Sequence, residues 1–551
     1  MNRSKITKFT VDIPSSIRPL SMTRASPSRW STAEFRFYYL VFMFAIPLMV
    51  WLPIPLSMPS HSNYQSFRDR LTPGWMFGRP IDNSDAQYSS FRNNIPLLTL
   101  AAIAQLSAKF LWTRLTPKSS TDLIPFNIIF SIFAIIGLHG ANIIKIGVIL
   151  GLNYAIAKQF CRSGTASKLG PILTWTFNAA ALFGSEIYQG CPFSSISKHL
   201  AFLDSFQGVY PGWHVTFNIT MLRLISFNMD YYWSRDPREE SKGNNERLST
   251  EKERQSVPHP AETYSFGNYL AYVLYTPLYI GGPIMTFNDF MWQQRRPLTI
   301  TGSAIRSYAL RFVICLLTME SILHFMYVVA IKDTRAWLGY TPGEISMVGF
   351  WNLIIVWLKL LIPWRFFRLW ALLDGVDPPE NMVRCMGNNY STLGFWRSWH
   401  RSYNLWVIRY IYIPLGGKRN SFVNIVIVFS FVALWHDLTF RLLAWGWLIA
   451  LFIVPEVVAQ LLLPASKYEK QWWYRHICAV GGVVNVLMMM SANLVGFVIG
   501  LEGVRYFVHE LLFTIRGVQC FAVIVFCLFV GVQVMFEYRE EELRNGICRR
   551  C

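Results

Sequence analysis

Charge is what this chain is shortest of. Asp, Glu, Lys and Arg make up 15% of its 551 residues, against about 25% in soluble domains. So little charge excludes an ordinary water-soluble globule. Acid is the scarcer sign, with 32 Asp and Glu against 51 Lys and Arg and a formal net charge of +19. No soluble basic domain carries that excess, which argues against nucleic acid as a partner. The nine cysteines are scattered without metal-ligand spacing, so no metal is expected. Cys548-Arg-Arg-Cys551 is a lone C-x-x-C, and its arginines exclude a prenylation signal. No Ser or Cys lies in a nucleophile-elbow context, which argues against a covalent intermediate on such a residue. The basic first 35 residues contain no short apolar region ending in small residues, so no cleavable signal peptide is expected.

What the chain has instead is apolar and aromatic bulk, 53% hydrophobic and 16% Phe, Trp and Tyr. Long apolar runs imply an all-α, polytopic transmembrane helical bundle of about ten to twelve spans plus re-entrant or interfacial pieces. The positive charge then belongs to cytosolic loops and anionic headgroups. The expected organisation is a basic, cytosolic and disordered tail over 1–35, a membrane core over 36–538 and a short charged tail over 539–551. Within the core, 234–262 reads as a solvated hydrophilic loop and 374–437 as a motif region. The run 213–233 holds Arg223 and Asp230, so an amphipathic or re-entrant helix is expected there. Trp435, Trp445, Trp447, Trp472 and Trp473 read as interface anchors.

Polar groups inside apolar runs are the candidates for chemistry. Tyr275–Phe290 is interrupted by Pro277, Gly281, Gly282 and Pro283. Broken helices at membrane depth occur only where protein buries them or a cavity is lined by them, so this segment is either a kinked span or the wall of a chamber. Glu320 and His324 share one helix face and read as a structural pair rather than a proton site. Lys359, Arg365 and Arg368 lie among aromatics, either snorkelling to headgroups or holding phosphate. Between Glu380 and Asp437 there is no acid, while Arg384, Arg397, Arg401, Arg409, Lys418 and Arg419 supply six positive charges. Positive-inside sorting explains that cluster, and so does a phosphate-rich ligand such as coenzyme A, with Arg397, Arg401 and Arg409 as contacts.

Two histidines close the argument. His400 lies in the basic, aromatic W-H-R-S-Y-N stretch, and His436 ends the uncharged run Phe422–Trp435. Each is a core or headgroup-level histidine on the bland reading. On the functional one, His436 is a neutral general base in an apolar chamber, since the ordinary histidine pKa of ≈ 6.5 suits that task. Asp437 follows directly but does not face His436 on a helix.

The order W-H-R-S-Y-N-x-W-x-x-R-Y-I-Y-I-P-L-G-G, then an apolar segment ending in W-H, resembles the signature of the membrane-bound O-acyltransferase family. Tyr275–Phe290 and Asp374–Cys385 resemble it too, in the branch of the glycerol-uptake proteins and hedgehog acyltransferase. The resemblance implies a helical bundle with a central chamber. It makes His436 the catalytic histidine, places His400 and Asn404 at a second polar site, and sets Trp435 beside the substrate. It implies acyl-CoA as co-substrate with no further cofactor. Its branch implies the glycerol backbone of lyso-glycosylphosphatidylinositol (lyso-GPI) as acceptor, during GPI-anchor remodelling in the endoplasmic reticulum. A glycerol transporter with a coupled proton and a non-catalytic scaffold are the competing readings. A transporter predicts two matching broken helices, and only Tyr275–Phe290 shows the pattern.

Overall fold

Helices form nearly all of the computed structural model, which describes residues 26–116, 123–162, 167–236 and 250–547. The expected tail up to residue 25, the loop stretch 237–249, and Cys548 and Cys551 lie outside the described residues. One two-residue antiparallel ladder pairs Leu71 with Asp82 and Thr72 with Ile81. Among the described residues eight helical stretches are long and apolar enough to cross a membrane, from Ala33–Leu56 to Ile515–Arg544. That is fewer than the ten to twelve expected from the sequence. Leu123–Phe160 counts as one stretch although it holds two helices, Leu123–His139 and Ile143–Phe160. The helix Leu169–Ile187 buries Thr174, Asn178 and Ser185, and such polar positions dilute its hydropathy. Large apolar side chains left uncovered, such as Phe44, Phe133 and Phe440, are what a bilayer would cover.

The long helix Pro342–Leu373 is the axis of one core. Thr341 and Glu344 close a capping box at its start and Pro342 occupies the first turn, where a missing N–H costs nothing. Its 32 residues extend about 48 Å at 1.5 Å each, more than the ≈ 30 Å hydrocarbon core. Lys359, Arg365 and Arg368 neither snorkel nor stand free for phosphate. Lys359 pairs with Asp85 at 2.8 Å and Arg368 with Asp377 at 2.7 Å. Arg365 lies against Cys315 and the carbonyl of Arg311. Burial of these cations within the protein needs such partners.

The central helix Trp213–Ser234 is the axis of the other core. It is not amphipathic: every residue from Thr220 to Tyr232 is buried. Asp230 is paired inside the protein, and Arg223 has one bond there, from Nη1. Asp230 accepts from Arg409 at 2.8 Å and from Tyr410 at 2.9 Å, and Arg223 donates to the carbonyl of Val273. Asn153 hydrogen-bonds both Asn178 and Asn228, linking three helices, the polar glue expected where water is absent.

Glu320 and His324 act as the structural reading expects. Trp75 donates its indole N–H to Glu320 at 2.9 Å and its backbone N–H to His324 at 3.3 Å, pinning the first extramembrane loop. At the far end, the helix Ile515–Arg544 runs through the charged region expected as a tail from residue 539. Glu537 and Glu542 are buried there, paired with Arg544 and Arg384, and Glu537 and Glu540 accept the backbone N–H groups of Arg29 and Ser26.

Candidate active site

The site lies at the seam of the two cores, and a left-handed turn makes it. The helix Thr392–Ser398 ends, His400 takes φ = 45°, and the helix Arg401–Val407 begins. A non-glycine residue pays about 1–2 kcal/mol for that conformation and keeps it only where neighbours over-determine it. Asn381 is the neighbour. Its carbonyl accepts from Arg401 N–H at 3.0 Å and its side-chain oxygen from Ser402 N–H at 3.1 Å. Two of the free N–H groups at that helix start are thus satisfied by the Asp374–Cys385 loop. The Ser402 hydroxyl then accepts from Ile284 N–H at 2.8 Å, tying in the broken segment.

That segment, Tyr275–Phe290, is a wall, as the chamber reading expects. A single turn, Thr276–Tyr279, gives way to irregular chain before the helix Phe287–Arg295. Its free backbone groups are taken by side chains: Met285 C=O accepts from Tyr272 and Phe287 N–H donates to Ser226. Gly282 and Ile284 face the cavity.

His436 arrives from the other side on the helix Ser421–His436. Its apolar part, Val423–His436, falls in the class of 10–17 residues, too short to span a membrane. At 1.5 Å per residue those residues cover about 21 Å, against ≈ 30 Å of hydrocarbon. Trp435 fixes the helix end, donating its indole N–H to Asn218 C=O at 3.1 Å and accepting from the Asn218 amide at 3.4 Å.

Stacked rings join the two histidines. His400 lies 4.4 Å from Trp364 and 5.2 Å from Tyr403, centroid to centroid, both nearly parallel. Tyr403 stacks on Trp435 at 4.6 Å, and Trp435 meets His436 edge-on at 4.8 Å. His400, His436, Asn404 and Trp435 line one cavity of about 1320 Å³, larger than the ≈ 300–1,000 Å³ of ordinary ligand pockets. From the histidines it extends between apolar side chains such as Met49, Phe350 and Phe521. Trp435, at 6% exposed, and Trp445, at 2%, are core residues rather than interface anchors, because neighbouring helices cover both rings.

The three arginines do not join this group. Arg401 is ion-paired with Glu251 and Arg409 with Asp230. Arg397 is exposed, and none of the three lines the cavity. The acid-free interval in sequence is therefore not acid-free in space. Asp437 is extended and exposed beyond the helix end. Tyr403, Trp364 and Asn381 went unmarked by sequence reasoning. Only Tyr403 carried a signal, three residues after His400 on a helix. A cavity with two histidines, an amide and a long apolar arm can hold an acyl chain and take a proton from a hydroxyl.

Residues 174–501 match the membrane-bound O-acyltransferase (MBOAT) family. The chain is 48% identical over 541 residues to the membrane-bound O-acyltransferase GUP1 of Candida tropicalis, covering 96% of this chain and 91% of that one. It is 46% identical over 542 residues to the protein of the same name from Saccharomyces cerevisiae, covering 96% and 95%. The protein-cysteine N-palmitoyltransferase HHAT of Mus musculus is 28% identical over 213 residues, 36% of this chain and 42% of that one.

Proposed function

The chain belongs to the membrane-bound O-acyltransferase family, and from that premise we propose that it transfers a long fatty acyl group from acyl-CoA to a lipid hydroxyl. We take the acceptor to be the glycerol backbone of lyso-GPI, remodelled in the endoplasmic reticulum. The observation that carries the reading is the convergence of His436, His400 and Asn404 on one large, mostly apolar cavity.

In this reading His436 is the general base. The acceptor hydroxyl oxygen attacks the thioester carbonyl carbon while His436 takes its proton. The carbonyl electron pair moves to oxygen, giving a tetrahedral oxyanion. As the carbonyl re-forms, the C–S bond breaks, and the coenzyme A sulfur leaves with the proton from His436. The ester forms in one exchange with no acyl-enzyme, so no protein nucleophile is needed. His400 and Asn404 position the acceptor, and the apolar arm of the cavity holds the acyl chain away from water.

The test is turnover of labelled palmitoyl-CoA with lyso-GPI by the purified protein. His436→Ala should lose about 10²–10⁴ of the rate, the range for a missing general base, and should still bind palmitoyl-CoA. Label left covalently on the protein in the absence of acceptor would overturn direct transfer. Normal turnover by His436→Ala would overturn the base assignment.

A further inference from the structure

An oxyanion needs a donor, and the mechanism above names none. Three polar atoms of cavity-lining residues are buried without a hydrogen-bond partner among the described residues: Tyr403 Oη, Trp396 Nε1 and Asn388 Oδ1. Asn388 Oδ1 only accepts and cannot serve an anion. Trp396 packs its ring on Phe429 and Trp445 rather than on either histidine. Tyr403 is 5% exposed and stacks on His400 and on Trp435, the ring that meets His436.

A phenylalanine would make the same stacks. The hydroxyl is therefore unexplained by packing, and an unmade buried hydrogen bond is expensive, about 1–3 kcal/mol. Native proteins retain few such groups, and a catalytic role is one reason to keep one. A polar group kept unpaired in the folded protein is free to bond at the moment charge develops, without first breaking another bond.

We propose that the Tyr403 hydroxyl donates a hydrogen bond to the oxygen of the tetrahedral intermediate, making Tyr403 a further catalytic residue. The tyrosine keeps its proton throughout; only a hydrogen bond is made and released. This rests on the reading of His436 as base, and the two assignments fail separately.

Tyr403→Phe, His436→Ala and the parent protein would be compared with palmitoyl-CoA as donor and lyso-GPI as acceptor, with thermal unfolding of each in the same detergent. Tyr403→Phe should lower kcat about 10²–10³-fold, as loss of one oxyanion donor does. KM for palmitoyl-CoA should stay unchanged, since the bond is made in the transition state. Its unfolding temperature should be equal or higher, because an unpaired group has been removed. Parent-like kcat in Tyr403→Phe would overturn the proposal and leave the ring as a stacking element. A fall in kcat together with a lower unfolding temperature would also overturn it, since the hydroxyl would then be structural. Loss in Tyr403→Phe beside normal turnover in His436→Ala would keep the donor and reject the base.

Discussion

Individual arginines separate two roles that the sequence runs together. Asp230 is 1% exposed and its partner is Arg409 at 2.8 Å. Removing one member of a buried pair leaves an uncompensated charge and costs about 3–5 kcal/mol. Arg409→Ala should therefore lower the unfolding temperature and the yield of folded protein. Arg397 is exposed two residues before the wall residue Trp399. Its removal should leave folding alone and raise KM for acyl-CoA more than it lowers kcat, as lost ground-state binding does. Kinetics and thermal unfolding on both variants check this; an unchanged KM in Arg397→Ala would assign that charge to membrane sorting alone. The charge cluster was legible in sequence, but its pairing was not, because Glu251 and Asp230 lie more than a hundred residues upstream.

At the scale of elements, the site is a joint between short pieces rather than a feature of any helix. The left-handed turn at His400 is held by Asn381 from one loop and, through Ser402, by Ile284 of the broken segment. Asn381→Ala removes the side-chain bond to Ser402 N–H and leaves a buried donor unmet, a cost of about 1–3 kcal/mol. It should also let His400 relax out of the left-handed region, so kcat should fall while acyl-CoA binding persists. Measuring both in one preparation checks the link; a variant as stable and as fast as the parent would show that the turn holds itself. The broken segment was recognisable from its Pro and Gly spacing. The turn was not, since no glycine marks it and only a few per cent of non-glycine residues adopt positive φ.

For the molecule as a whole, orientation in the bilayer sets which substrate enters from which side. The short Val423–His436 helix begins beside Lys418 and Arg419, and positive-inside sorting places that end in the cytosol. On the proposed function, that orientation would bring acyl-CoA to His436 from the cytosolic side. Lys418→Cys in sealed microsomes should react with an impermeant thiol reagent before permeabilisation; labelling only afterwards would invert the topology. The two cores meet at His400, with Trp364 packed against one and Tyr403 belonging to the other, so the whole bundle must close before the site exists.

Composition and local pattern alone determined the membrane class, the helical architecture, the broken segment and the two histidines. Each depends on residues near in sequence: hydropathy over a span, or helix breakers within a run. Tertiary structure decided the rest. The run 213–233 reads as an amphipathic or re-entrant helix because Arg223 and Asp230 have no local partner, yet packing supplies Val273, Arg409 and Tyr410 and buries it, which removes the amphipathic alternative. Lys359, Arg365 and Arg368 read as ligands or headgroup anchors for the same reason. Trp435 and Trp445 read as interface residues until neighbouring helices cover them. Where a polar group finds its partner across the bundle, its cost is cancelled by a contact that no window of sequence contains.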